Sequence, residues 1–384
     1  MIALGRALRA RGHEVVVETW TRWQADVERE GLRFAPAPEY HVFPTLERPL
    51  KPYEAVVRAT GVTRELVRVE RPDVVVADIL TLAPALSAEL EGVPWATLVP
   101  HVDPRGAAGF PPYSVGARLP RTAVGRRFWG LFDPVIGRGL ELGRAELNET
   151  RRRLGLGPLA HVHGGISREL AMVGTFPQLE YPRGGGGAEP GTHVVGPLQW
   201  EPPFGEVELP DGDPSWPVVL VAPSTAQDRE HVMLRAALEG LARLPVRVLA
   251  TTNRRAPATP LPVPANARLV DWVSYSQTMP RCDVVVCHAG HGTLARALSS
   301  GCVVVACPAA GDMNENAARL DWARAGVRLP RRLVSARGLR VAVQRALADP
   351  SLRARARELA AWHARRDPAD RAAELVEGLA ARRA

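Results

Sequence analysis

Residues 288–293 read His288-Ala289-Gly290-His291-Gly292-Thr293. An apolar run, 283–287, precedes them, and a helical pattern, 293–300, follows. Gly290 and Gly292 let a ligand approach the backbone closely. A helix start offers unpaired amides and a partial positive charge, so this junction suits an anion, and phosphate is the commonest one. His288, at the strand end, can donate to a phosphate oxygen, and the Thr293 hydroxyl can add a further bond. One strand later comes the polar loop Gly311-Asp312-Met313-Asn314-Glu315-Asn316, whose Asp312 and Asn316 can hydrogen-bond the rest of such a ligand. The glycine spacing alone is weak evidence; the two stretches together are specific.

Elements that place a strand end beside a helix start recur along the chain. Residues 13–19, 73–78, 95–100, 217–224, 246–252, 283–288 and 303–308 are continuous or near-continuous apolar runs, as expected of strands covered on both faces. Residues 83–91, 230–244 and 293–300 read as helices between them. The pattern is α/β with parallel sheets and occurs once in each half. The Pro/Gly/acid-rich stretch 196–217 reads as an interdomain linker, and 181–193, with its glycine run, as a surface loop. Domains are therefore expected at 1–200 and 201–350, with a helical tail, 351–384, packing back across both. The first element, carrying Ile2, Leu4 and Leu8, is a helix with no strand before it. In a doubly wound sheet the first strand is central. Its neighbours are thus expected to lose a partner and leave a slot, and the native start is expected upstream of Met1.

A chain of 384 residues suits two domains. Mean hydropathy of −0.10 and 46% hydrophobic residues fit a soluble protein. No run reaches a membrane span and no signal peptide opens the chain, so a cytoplasmic location without integral membrane association is expected. The net charge of +8 comes almost wholly from arginines scattered among acids, with aromatics at 5%, which argues against nucleic acid. A local diphosphate accounts for the need. Cys282, Cys287, Cys302 and Cys307 form two pairs five apart. That odd offset puts each pair on opposite strand faces, so buried thiols rather than a metal site or disulfide are expected.

Over essentially its whole length, and most specifically over 271–320, the chain resembles family 1 glycosyltransferases of the GT-B fold, the bacterial natural-product (macrolide and calicheamicin glycosyltransferase-like) type. The motifs are Trp272-Val273-Ser274-Tyr275, then His288 to Thr293, then Asp312 to Asn316. The resemblance implies two Rossmann-like domains facing across a cleft, binding a nucleotide-sugar donor and a small lipophilic acceptor, with no cofactor and no metal. It implies that Trp272 stacks on the base and that the Val273 backbone reads its edge. His288, Gly290, Gly292, Thr293 and Ser224 would hold the diphosphate. Asp312 would bind sugar hydroxyls, and Asn316 would support its loop or the phosphate. It also implies inverting transfer: a base deprotonates the acceptor, and the diphosphate leaves onto preorganised donors. Met313 and Tyr275 replace family glutamines. Arg296 replaces a carboxylate that holds a ribose diol in uridine-nucleotide users, which leans the donor from UDP-sugar towards dTDP-sugar.

The family's catalytic His, in a Gly-His-x-x-Pro loop after the first strand, is expected upstream of Met1. His13 reads as a surface residue. Asp78 would orient that His, the alternative being a helix N-cap. The Pro/Gly loop 100–120 is expected to face the acceptor through His101, Asp103, and an exposed Phe110 and Tyr113, with structural roles for His101 and Asp103 as the alternative. Trp129 and Phe132 read as an amphipathic face able to line an apolar acceptor pocket. Two other readings stand beside the transferase: a non-catalytic nucleotide-sugar binder or auxiliary protein, which the absent His loop would suit, and a sugar-nucleotide epimerase, which lacks its paired acids here. A monomer or homodimer is expected.

Overall fold

The structure, a computed structural model, describes residues 1–38, 52–183, 189–224, 228 and 230–382. The glycine run 184–187 and residues 225–227, beside Ser224, lie outside them.

The C-terminal half builds one six-stranded parallel sheet. Its elements are β7 (Val218–Ala222), α7 (Val232–Leu241), β8 (Arg247–Thr251), β9 (Ala267–Val270), α8 (Tyr275–Thr278), β10 (Val284–Cys287), α9 (His291–Ser299), β11 (Val303–Ala306), α10 (Asp312–Trp322) and β12 (Gly326–Arg328), followed by α11 (Ala336–Ala348). The strand order is β12-β11-β10-β7-β8-β9, the doubly wound order. Successive side chains alternate between two cores. Leu220, Val285, Cys287 and Val304 pack on one face, and Val219, Val284, Val286 and Val305 on the other. Every one is fully or nearly fully buried, at about 1.5–3 kcal/mol per Val or Leu. This explains why these strands read as unbroken apolar runs. The order reverses between β7 and β10, and the crevice above such a reversal is where open α/β sheets bind ligands.

The N-terminal half comprises α1 (Ile2–Ala10), β1 (Val16–Thr19), α2 (Gln24–Arg29), β2 (Arg33–Pro36), α3 (Pro52–Glu70), β3 (Val75–Asp78), α4 (Leu82–Leu90), β4 (Trp95–Val99), α5 (Ala123–Gly130), α6 (Asp133–Arg153), β5 (Ala171–Val173) and β6 (Thr192–Val194). Its strands form two separate parallel sheets among the described residues, β1-β2 and β3-β4-β5-β6.

The chain then returns. α12 (Pro350–Ala364) packs on α9, and α13 (Pro368–Ala380) packs on α1. Trp362 of α12 meets Phe176 with ring centroids 5.7 Å apart. Ala372, Ala373, Val376 and Leu379 of α13 join Leu4, Leu98 and Met172 in the N-terminal core. The stretch after β6 is pinned by side chains rather than loose. Trp200 donates to Glu30 at 2.9 Å, and Glu201 accepts from the Tyr275 and Ser276 amides at 2.7 and 2.9 Å, capping α8.

Three expectations need correction. Residues 312–316 are the first turn of α10, not a loop: Gly311 supplies a left-handed N-cap with φ 57°, and Asp312 and Glu315 suit the positive helix end. All four cysteines are buried and free, but Cys282 and Cys287 share one core. Cys282 precedes β10, so strand alternation does not reach it. Phe110 is buried against Tyr181 and Leu119, and Tyr113 is half-buried.

Candidate functional site

Ser224, from the end of β7, and His288, from the end of β10, meet at the sheet's reversal. The Ser224 amide donates to His288 Nδ1 at 2.9 Å. That bond places the ring proton on Nε2, which points towards the Asp228 carboxylate at 3.7 Å. Burial lowers the His288 pKa and Arg331 lowers it further, while Asp228 opposes them, so the ring is a neutral donor. Asp228 also accepts from the Val232 and Met233 amides at 2.8 and 3.1 Å, fixing the start of α7.

From His288 the backbone turns through Ala289, at φ 60°, to Gly290, the N-cap of α9. No side chain caps α9. A Cβ added at Gly290 or at Gly292 would meet nothing within 4 Å, so the helix start faces open space. Asn316 of α10 holds this turn from below, donating from Nδ2 to the Ala289 carbonyl at 3.0 Å. Asn316 is buried, and its Oδ1 has no partner. Asp312, one turn earlier and exposed, lies 3.5 Å from the same amide nitrogen.

Trp272 and Val273 follow β9. Val273 is buried. Trp272 is half-buried, stacks with Tyr275 at 6.4 Å and 22°, and carries the Arg254 guanidinium 4.5 Å from its ring centroid. The Tyr275 hydroxyl joins Thr293 and Asn253, and Asn253 in turn donates to the Pro223 carbonyl. This network links the ends of β7 and β8 to α8 and the first turn of α9. Half-buried Arg296 has Glu201 as its opposing charge and lies near His363 of α12.

Across the cleft, Asp78 ends β3. Its Oδ1 accepts from the Leu80 amide at 2.8 Å, an Asx turn, whereas Thr81 is the N-cap of α4. The N-cap alternative for Asp78 is therefore corrected. His101 is half-buried, with Nδ1 on the Val102 carbonyl at 2.7 Å. Asp103 is buried and fully engaged. Arg105 binds it through two nitrogens at 2.9 and 2.8 Å, and Arg183 lies at 3.0 Å. Burial opposes its ionisation, but these arginines hold its pKa low. Asp103 is thus placed for structure rather than for proton transfer. The Tyr113 hydroxyl is buried without a partner, with Asp312, Glu315, Arg319 and Glu180 among the charges around it. The loop's far end touches α10: a Cβ at Gly116, where φ is 77°, would stand 3.0 Å from Asn314, and Arg328 donates to the Gly116 carbonyl. Phe128, Trp129 and Phe132 cluster at 5.3–5.7 Å, with Phe128 and Phe132 exposed. His13 is exposed and paired with Glu377 at 2.7 Å.

Sequence reasoning passed over Asp228, Asn253 and His291. His291 lies within the glycine run itself. It is buried and reaches the other domain, with Nε2 2.9 Å from Thr175 Oγ1 and a ring bond to the Pro100 carbonyl. Asn253 follows a strand end in a doubly wound sheet, a position that marks ligand-side residues.

No helix among the described residues is long and apolar enough to cross a membrane, and no group of three His, Cys, Asp or Glu side chains there is placed to hold a metal ion. Residues 235–379 match the family model of the erythromycin biosynthesis protein CIII-like C-terminal domain. The chain is 30% identical to the 4'-demethylrebeccamycin synthase of Lentzea aerocolonigenes, over 99% of this chain and 96% of that protein. It is 29% identical to the O-mycaminosyltylonolide 6-deoxyallosyltransferase of Streptomyces fradiae, over 98% and 93%. Among solved structures it is similar to the glycotransferase of kitacinnamycin, with a TM-score of 0.75 at 21% identity over 98% and 94% of the two chains. Glycosyltransferase VinC in complex with dTDP gives 0.68 at 20% over 100% and 96%. Both share the two-domain GT-B fold.

Proposed function

Because the chain belongs to the bacterial natural-product glycosyltransferases, we propose that it moves a sugar from a dTDP-sugar, or less readily a UDP-sugar, to a small lipophilic acceptor with inversion. The observation that carries the donor half is the uncapped start of α9 beside the Ser224–His288 pair, with open space at Gly290 and Gly292. A diphosphate there accepts from the helix amides, the Thr293 hydroxyl and His288 Nε2. Its departure develops negative charge on the bridging oxygen, and fixed donors stabilise that charge without rearranging. In this reading the α9 amides do the work that a divalent ion does elsewhere.

Trp272 meets the base, in the place that Arg254 now covers. Asp312 reaches sugar hydroxyls, and Asn316 keeps the diphosphate turn in shape. Arg296 supplies no carboxylate for a ribose diol, which is the ground for preferring a 2'-deoxynucleotide. On the acceptor side, Asp78 orients the base that deprotonates the acceptor hydroxyl, and the oxygen then attacks the anomeric carbon in line. The exposed Phe128 and Phe132, clustered with Trp129, and the half-buried Tyr113 supply apolar surface for a lipophilic acceptor.

Calorimetric titration with dTDP and with UDP, of the wild-type protein and of His288→Ala, tests this. Binding of dTDP in preference to UDP, weakened at least about tenfold by the substitution, is expected, a difference of about 1.4 kcal/mol. Equal binding by folded His288→Ala would remove the diphosphate from this turn. A preference for UDP would overturn the Arg296 argument alone.

A further inference from the structure

We propose that Arg319 is a positioning residue that holds the root of the acceptor-side loop, residues 100–105, in register with the donor-side helix α10, so that nucleotide bound at α9 is felt in that loop. The inference rests on the donor-site reading above and extends it to a residue that touches neither substrate.

Arg319 belongs to the C-terminal domain, yet most of its acceptors do not. Nε donates to Glu315 Oε1, on its own helix, at 2.8 Å. Nη1 donates to Glu180 Oε2 at 2.8 Å and to the Leu179 carbonyl at 3.4 Å, and Nη2 donates to the Asp103 carbonyl at 3.1 Å. The guanidinium plane lies 4.4 Å from the Tyr181 ring centroid. The side chain is only 3% exposed. Glu180 completes the clamp, since its other oxygen accepts from the Asp103 amide at 2.8 Å. One fork therefore fixes two separate N-terminal loops against one C-terminal helix.

The surrounding charges balance. Arg319, Arg105 and Arg183 face Asp103, Glu180 and Glu315. Replacing such a buried set by apolar side chains would often hold two surfaces together at least as well. What a guanidinium adds is direction: a planar fork satisfies its acceptors in one orientation, where an ammonium or a methyl group would accept many.

The same helix touches the diphosphate turn. Asn316, three residues before Arg319 and hence on a neighbouring part of the same face, donates to the Ala289 carbonyl. A rigid helix anchored to the phosphate turn through Asn316 and to the acceptor-side loop through Arg319 passes a displacement of one to the other.

Amide hydrogen exchange with and without saturating dTDP tests this on the full chain. In the wild type, dTDP should slow exchange at residues 290–294 and also at 101–106. In Arg319→Met, slowing at 290–294 should persist, while the response at 101–106 falls at least about fivefold, the lower end of measured coupling between sites. Arg319→Lys should fall between the two. If Arg319→Met does not fold, Glu180→Gln breaks the same pairing from the other domain and must show the same selective loss. A merely structural residue would raise exchange with and without dTDP alike and leave the dTDP response of 101–106 intact, which would overturn the proposal. So would a wild type that responds at 290–294 but not at 101–106. No response at 290–294 in the wild type would overturn the donor-site reading, and this coupling with it.

Discussion

Acidification should loosen the contact between the two domains at His291. The ring is buried, and its pKa is pulled down to about 3 by burial, with help from His101 and Arg319 and against the bond to the Pro100 carbonyl. In the unfolded chain the same ring titrates near 6.5. A base whose folded pKa is lowered is protonated first in the unfolded state. Its contribution to stability is therefore complete above about pH 6.5 and is lost as pH falls towards 3. Between those limits the slope approaches about 1.4 kcal/mol per pH unit, which integrates to about 0.8 kcal/mol at pH 6 and about 2 kcal/mol at pH 5. Urea unfolding of the wild type and of His291→Gln at pH 7.5, 6 and 5, at constant ionic strength, measures it. Glutamine can keep a donor and an acceptor at the interface but cannot titrate. His288, His163, His193 and His363 also have lowered values, so both proteins will lose stability in acid. The quantity that matters is the difference: the wild type should lose about 2 kcal/mol more than the variant between pH 7.5 and 5. Parallel pH dependence in the two, with unchanged slopes in urea, would refute the assignment of a neutral, buried ring at this contact.

Gly292→Ala should stabilise the free protein by about 0.5–1 kcal/mol, because its Cβ meets nothing and alanine favours the helix. The same methyl group should weaken dTDP binding at least about tenfold by calorimetry; unchanged affinity would count against a diphosphate at this turn. Asp103→Asn should cost about 3–5 kcal/mol in urea midpoint analysis, since Arg105 and Arg183 lose their shared partner in a buried site. If it instead destroyed transfer activity at full stability, Asp103 would be a participant in the chemistry. Asn316→Leu should destabilise by about 1–3 kcal/mol, leaving the Ala289 carbonyl without its donor, and dTDP affinity should fall with it. A stability loss with intact affinity would separate that bond from ligand binding.

The donor half was legible because its signals are local. The runs 283–287 and 303–308 read as buried strands and fold as β10 and β11, and the glycine spacing marks the turn onto α9. Strands β2, β5, β6, β9 and β12 gave no such pattern. They are three or four residues long, several lie at sheet edges, and charged or polar residues break their apolar character, Arg33 opening β2, His193 within β6 and Arg328 ending β12. The acceptor half was misread at Phe110, and left open between two roles at Asp103, for a different reason. What surrounds them, Glu180, Tyr181 and Arg183, lies far along the chain, and no spacing rule brings residues 103 and 183 together. A Pro/Gly loop with an aromatic residue reads as exposed until its partners are known. His291 shows the opposite failure: it sits inside the motif between two glycines read as phosphate-binding, was itself passed over, and turns its side chain away to the other domain.

The last helix of the chain supplies part of the first domain's interior. α13 packs on α1 and places Val376 and Leu379 against Leu98 and Met172, while Arg11 grips Glu377 and Asp370 at 2.8 and 2.7 Å. A ribosome delivers β4 and β5 long before α13, with the whole C-terminal sheet made in between. The nascent N-terminal half must therefore wait with an uncovered apolar face, although domains generally complete themselves in order of synthesis. Slowing synthesis of the C-terminal half should therefore lower the yield of folded chain, even where the stability of the finished fold is unchanged.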